Sequence, residues 1–129
     1  MNVATMNATS LAYIGDAHMS LYVREYLLSL GYQKPKDLQV KSTHYVSAKA
    51  QAYYANVLVT EHFFNETELE ILKRGRNANT VTKAKNADVM TYRMSTGFEA
   101  VWGYLYLTKQ FERIELLWEK VKQIGEVKI

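Results

Sequence analysis

Apolar positions along the chain recur at helical intervals, and no segment reads as a strong strand. Glycine and proline are so sparse, six and one in 129 residues, that their positions nearly dictate the segmentation. A first helix is predicted from Thr9 to Leu30, closed by Gly31, a residue able to take the left-handed conformation that ends helices. Gln33, Lys34, Pro35 and Lys36 then form a turn, with Asp37 placed to cap the next helix. In that second helix Val46, Ala50, Tyr53 and Val57 follow the period of one buried face, and it is expected to run to about Glu61. Asn65 is a good N-cap for a third, short helix. Glu66, Glu68 and Glu70 load its start and Lys73, Arg74 and Arg76 its end, matching the helix dipole at both ends. Asn77 to Ala87 is a polar, basic connection without apolar periodicity. Asp88 opens a fourth helix reaching about Thr108, apolar almost all round and therefore expected at the centre of the fold. A fifth, from Phe111 to Ile124, carries Ile114, Leu117, Trp118 and Val121 on one stripe. The pattern predicts an all-α, single-domain helical bundle spanning residues 1–129, without internal repeats.

Composition narrows this only slightly. At 48% hydrophobic and 22% charged residues the chain can bury a proper core and is not a disordered polymer. The longest clean apolar run, Ala100 to Leu107, is far short of a membrane span, and Met1 to Ser10 lacks the pattern of a signal peptide. The absence of cysteine excludes disulfides, thiolate zinc sites and a cysteine nucleophile; a cytoplasmic location is expected.

Charge is more informative by position. Between Met1 and Val23 the only formally charged side chain is Asp16, and between Met94 and Thr108 the only one is Glu99. A carboxylate on a buried helix costs several kcal/mol unless it is paired, protonated or bound to a metal. Asp16 could simply cap a helix break, and Glu99 could pair with Arg93 or Arg113. Glycines beside both acids, at Gly15, Gly97 and Gly103, suggest close helix approach and favour their convergence. Two carboxylates without a helpful His or Cys are hard oxygen ligands, suited to Mg2+ or Mn2+ and thence to phosphate esters. His18, His44 and His62 show no HExxH spacing, and there is neither a glycine-rich phosphate loop nor a G-x-S-x-G elbow. From Lys73 to Arg93 six Lys and Arg face Asp88 alone, a net +5 in a chain whose total is +3, so the remainder is slightly acidic. With Asn77 and other small polar residues interleaved, this segment reads as a nucleic-acid contact surface.

Five stretches taken in order resemble the Mini-ribonuclease III family, the bacterial ribonuclease III that consists of the catalytic domain alone. They are Leu11-Ala12-Tyr13-Ile14-Gly15-Asp16-Ala17; Val46-Ser47-Ala48-Lys49-Ala50-Gln51-Ala52; Lys73-Arg74-Gly75-Arg76-Asn77-Ala78; Lys85-Asn86-Ala87-Asp88-Val89 with Thr91-Tyr92-Arg93; and Ser95-Thr96-Gly97-Phe98-Glu99-Ala100. The resemblance covers about Leu11 to Arg113. It implies an all-helical ribonuclease III endonuclease domain without a separate double-stranded RNA-binding domain. It further implies a homodimer in which each subunit holds a metal site and the pair cuts both strands of double-stranded RNA. Asp16 and Glu99 match the family's Mg2+ ligands and are the expected catalytic residues, with Mn2+ as a substitute ion. Lys49, Lys73, Arg74, Arg76, Asn77, Lys83, Lys85 and Arg93 are the expected RNA contacts. The implied substrate is the stem formed by the ends of precursor 23S ribosomal RNA, with a ribosomal protein as a conceivable presenting partner.

Larger ribonuclease III enzymes carry further acids where this chain has Ala12 and Thr96, as Mini members generally do not; fewer carboxylates predict weaker ion binding. Ser20 stands where many Mini members have glutamate, and the loop after Asn77 departs somewhat from the pattern. A catalytically weak RNA-binding or ribosome-assembly factor on the same scaffold is the alternative reading.

Overall fold

A computed structural model describes residues 1–78 and 86–128, with the side chains of residues 86 and 87 left aside. Among these residues there is no strand. A 3-10 turn at Val3–Thr5 leads into six helices: α1 Ala8–Ser29, α2 Pro35–Val46, α3 Ala48–Thr60, α4 Glu66–Arg76, α5 Asn86–Leu107 and α6 Phe111–Ile124. None is long and apolar enough to cross a membrane.

Local chemistry explains most of the boundaries. Asn7 caps α1 by accepting from the Thr9 amide, and Gly31, at φ +97°, closes it. There the Gly31 and Tyr32 amides donate back to the Leu28 and Leu27 carbonyls. Pro35, not Asp37, sets the start of α2, because proline is pre-organised for the first helical position and Asp37 falls within the first turn. Asn65 and Glu68 form a reciprocal capping box at the start of α4.

The second helix predicted from the sequence is two helices. Ser47 takes an extended conformation (φ −63°, ψ 157°) and its side chain accepts from the Ala50 amide, so one residue ends α2 and caps α3. This break rotates the buried face. Ala50 is buried, but Tyr53 is 52% exposed, and the residues that enter the core from α3 are Ala50, Gln51, Ala52, Tyr54, Ala55 and Leu58.

The central place expected for the fourth helix belongs to α5, which already includes Asn86 and Ala87 ahead of Asp88. From Ser95 to Leu105 nearly every α5 residue is buried, and α5 packs against α1, α3, α4 and α6, most extensively against α1. The fifth predicted helix matches α6 and buries Ile114, Leu117, Trp118 and Val121 as expected. Arg113 of α6 forks onto Glu68 of α4 at 2.7 and 2.8 Å, with Glu68 only 1% exposed. Residues 125–128 fold back over the α2–α3 elbow, where the Val127 amide donates to the His44 carbonyl and the Tyr54 hydroxyl to the Gly125 carbonyl, each at 2.8 Å.

Candidate active site

Two glycines set the geometry at the centre of the molecule. A Cβ on Gly15 of α1 would lie 1.9 Å from the Glu99 carbonyl oxygen, and one on Gly103 of α5 would lie 1.8 Å from the Leu11 carbonyl oxygen. The two backbones therefore touch at a separation that only glycine permits, twice, on reciprocal faces. Gly75 and Gly97 make a similar contact between α4 and α5.

Asp16 follows the first of these glycines, and its side chain meets that of Glu99. Asp16 is exposed, whereas Glu99 is half-buried. Burial, then the hydrogen bond and charge of Asp16, push the Glu99 carboxyl up to about 8, while a hydrogen bond from Gln51 pulls it the other way. At neutral pH, without a cation, the Glu99 carboxyl therefore favours its protonated form. Arg113 does not relieve them, since it is committed to Glu68, and among the described residues no ion pair forms with either acid. Asp16 does not act as a helix cap either, because it lies in the middle of α1. Both bland alternatives for these acids therefore give way to convergence.

The donor set fits a hard divalent cation: two carboxylates meet at a partly open edge, one of them disfavoured as an uncompensated anion. No three or more His, Cys, Asp or Glu side chains among the described residues are grouped so as to hold a metal ion by themselves. Ala12 and Thr96, which occupy the positions of further acids in larger enzymes, are buried, and the Thr96 hydroxyl donates to the Tyr92 carbonyl at 3.1 Å. His18 is turned to the core, where its Nδ1 accepts from Trp102 Nε1 at 3.0 Å.

Two residues at this site had no role assigned from the sequence. Gln51, 1% exposed, borders Glu99, and the Ser95 hydroxyl donates to the Gln51 Oε1 at 2.6 Å. The signal that singled out Asp16 and Glu99, a polar group among apolar neighbours, also marks Gln51 between Ala50 and Ala52.

The candidate RNA contacts are more dispersed. Lys73 and Asn77 are exposed and line, with Arg74, a cleft against the start of α1 that includes Thr5, Asn7 and Thr9. Arg74 also donates to the Met6 carbonyl at 2.6 Å, a structural tie. Arg76 donates to the Asn77 side chain and faces a second cleft with Asn56, Met90 and Met94. Lys49 donates to the Lys128 carbonyl at 3.0 Å, and Arg93 is exposed on α5. The Gly75–Gly97 contact sets the basic last turn of α4 against α5 two residues from Glu99. Lys83 and Lys85 lie outside the described residues.

A helical domain with a paired carboxylate between α1 and α5 and cationic residues on the adjoining α4 has the make-up of a metal-assisted nuclease. Residues 9–110 match the ribonuclease III domain, and the chain belongs to the ribonuclease III family, as an RNA endonuclease of that type. Its similarity is to Mini-ribonuclease 3 in particular. It is 53% identical over 117 residues to Mini-ribonuclease 3 of Streptococcus pneumoniae, covering 91% of each chain. It is 51% identical over 123 residues to Mini-ribonuclease 3 of Enterococcus faecalis, covering 94% of this chain and 92% of that one. The crystal structure of a protein from Fusobacterium nucleatum shares the fold with a TM-score of 0.79 at 31% identity, over 89% of this chain and 92% of that one.

Proposed function

We propose that the chain is a Mg2+-dependent endoribonuclease that cuts both strands of double-stranded RNA as a homodimer, with Asp16 and Glu99 as its metal ligands and catalytic residues. The observation that carries this reading is the meeting of Asp16 and Glu99 across the glycine contact of α1 and α5. When bound, a divalent ion supplies Lewis acidity, lowering the pKa of water and offsetting charge on the phosphodiester. Mn2+, taking the same oxygen donors, is the expected substitute. Asp16 and Glu99 would hold the ion through their carboxylate oxygens, with Glu99 in its ionised form. Lys49, Lys73, Arg74, Arg76, Lys83, Lys85 and Arg93, with Asn77, grip phosphate oxygens and set the register of the duplex without reading its sequence.

Pairing with a second copy is supported by α1, which buries one face in the core yet leaves Tyr13 83%, Leu21 52% and Leu28 55% exposed. Two sites related by a two-fold axis suit two antiparallel strands. The proposed natural substrate is the stem formed by the ends of precursor 23S ribosomal RNA, consistent with the similarity to Mini-ribonuclease 3.

The test is cleavage of long double-stranded RNA and of that stem in Mg2+ against EDTA, with sedimentation giving the oligomeric state. Asp16→Asn and Glu99→Gln should abolish cutting and leave RNA binding largely intact. Full cleavage by either variant overturns the site.

A further inference from the structure

Gln51 is a costly residue to keep where it stands. Its neighbours on α3, Ala50, Ala52, Tyr54 and Ala55, are buried apolar groups, and burying an amide among them is unfavourable unless every polar end finds a partner. Its partners are specific. Ser95 donates to the Gln51 Oε1 at 2.6 Å, the Gln51 amino group faces the Met19 sulfur at 3.5 Å, and the Glu99 carboxyl lies beside this amide, which lowers its pKa. Ser95 precedes Glu99 by four residues on α5, so the two project from one helix face, one turn apart, and Gln51 bridges them from α3. In this arrangement the Ser95 hydroxyl takes the carbonyl end of the amide, which leaves its N–H donors for an anionic carboxylate, which can only accept.

We infer that Gln51, oriented by Ser95, is a positioning residue for Glu99: its amino group holds one carboxylate oxygen and leaves the other directed to the side shared with Asp16. The inference rests on the reading of Asp16 and Glu99 as metal ligands. Groups that orient a ligating carboxylate change metal affinity by about 10–100-fold when removed, without themselves touching the ion.

The experiment titrates Mn2+ alone into the full chain, followed by its paramagnetic resonance, alongside the melting temperature of the metal-free protein. Gln51→Met, an apolar side chain of similar length, should weaken Mn2+ binding about tenfold without lowering the metal-free melting temperature. Cleavage by Gln51→Met should recover as Mn2+ is raised, which a packing defect would not do. Ser95→Ala should weaken binding less, and the double variant no more than Gln51→Met alone, because Ser95 acts only through the amide. Loss of Mn2+ in Asp16→Asn with unchanged affinity in Gln51→Met overturns the role of Gln51 and leaves the metal site standing. Retention in both variants removes the metal site and this inference together. If Gln51→Met does not fold, unchanged Mn2+ affinity in Ser95→Ala is the overturning result.

Discussion

Replacing Gly15 by alanine perturbs stability and the site through a single atom. The new Cβ would lie 1.9 Å from the Glu99 carbonyl oxygen, whereas ordinary contact begins near 3.4 Å, a shortfall of 1.5 Å. Neither partner can rotate away, since one is the backbone of α1 and the other the backbone of α5. Overpacking of this kind costs about 1–3 kcal/mol, and the backbone character of the contact puts Gly15→Ala at the upper end. Alanine returns up to about 1 kcal/mol through helix propensity, so the net loss is about 2 kcal/mol. For a domain of this size that lowers the melting temperature by roughly 5–10 °C. Separation of α1 from α5 also draws Asp16 away from Glu99, and a misplacement of about 1 Å can cost a hundredfold in rate. Thermal unfolding followed by circular dichroism, and cleavage measured well below the melting temperature, report the two effects separately. A Gly15→Ala protein that melts within a degree of the parent and cleaves at the parental rate refutes the close-contact argument.

Glu99 makes the metal-free chain sensitive to pH. Its folded value of about 8 lies above the ordinary glutamate value near 4.3, so its contribution is fully present below the latter and is lost as pH rises through 8. Glu99→Gln should flatten the fall in metal-free melting temperature between these limits, and an unchanged slope contradicts the assignment. Arg113→Met should strand Glu68 as a buried charge and cost about 3–5 kcal/mol. The double variant Arg113→Met/Glu68→Leu should recover part of that loss in denaturant titrations, whereas a double variant less stable than the single removes the argument. Charge reversal at Lys83 and Lys85 should weaken RNA binding and reduce its salt dependence; an affinity and salt slope equal to the parent's remove both lysines from the RNA contacts.

What the sequence disclosed followed from how local each signal was. Asn65, Glu68 and the basic residues after Leu72 sit within one helix, so α4 could be read off capping and dipole rules. Asp16 and Glu99 stood out because α1 and α5 offer almost no other charge, and Gly15 and Gly103 hinted at the contact that joins them. The division at Ser47 was hidden, because Val46, Ala50 and Val57 keep a helical period across it while the backbone does not. Periodicity records which residues are apolar, not whether one peptide unit between them turns out of line. The Arg113–Glu68 fork and the Ser95–Gln51 bridge span 45 and 44 residues respectively, and no spacing rule reaches that far.

The segment from Gly125 to Lys128 has a bearing on how the protein comes into being. Tyr54 and Lys41 meet their partners 71 and 85 residues further along the chain, so the elbow between α2 and α3 lacks those contacts until residues made much later have left the ribosome. During synthesis the elbow and the late segment should therefore lock in one step. Once folded, the same dependence makes them a single unit of exchange. Amide protons near Val46 and Val127, far apart in sequence, should open to solvent together.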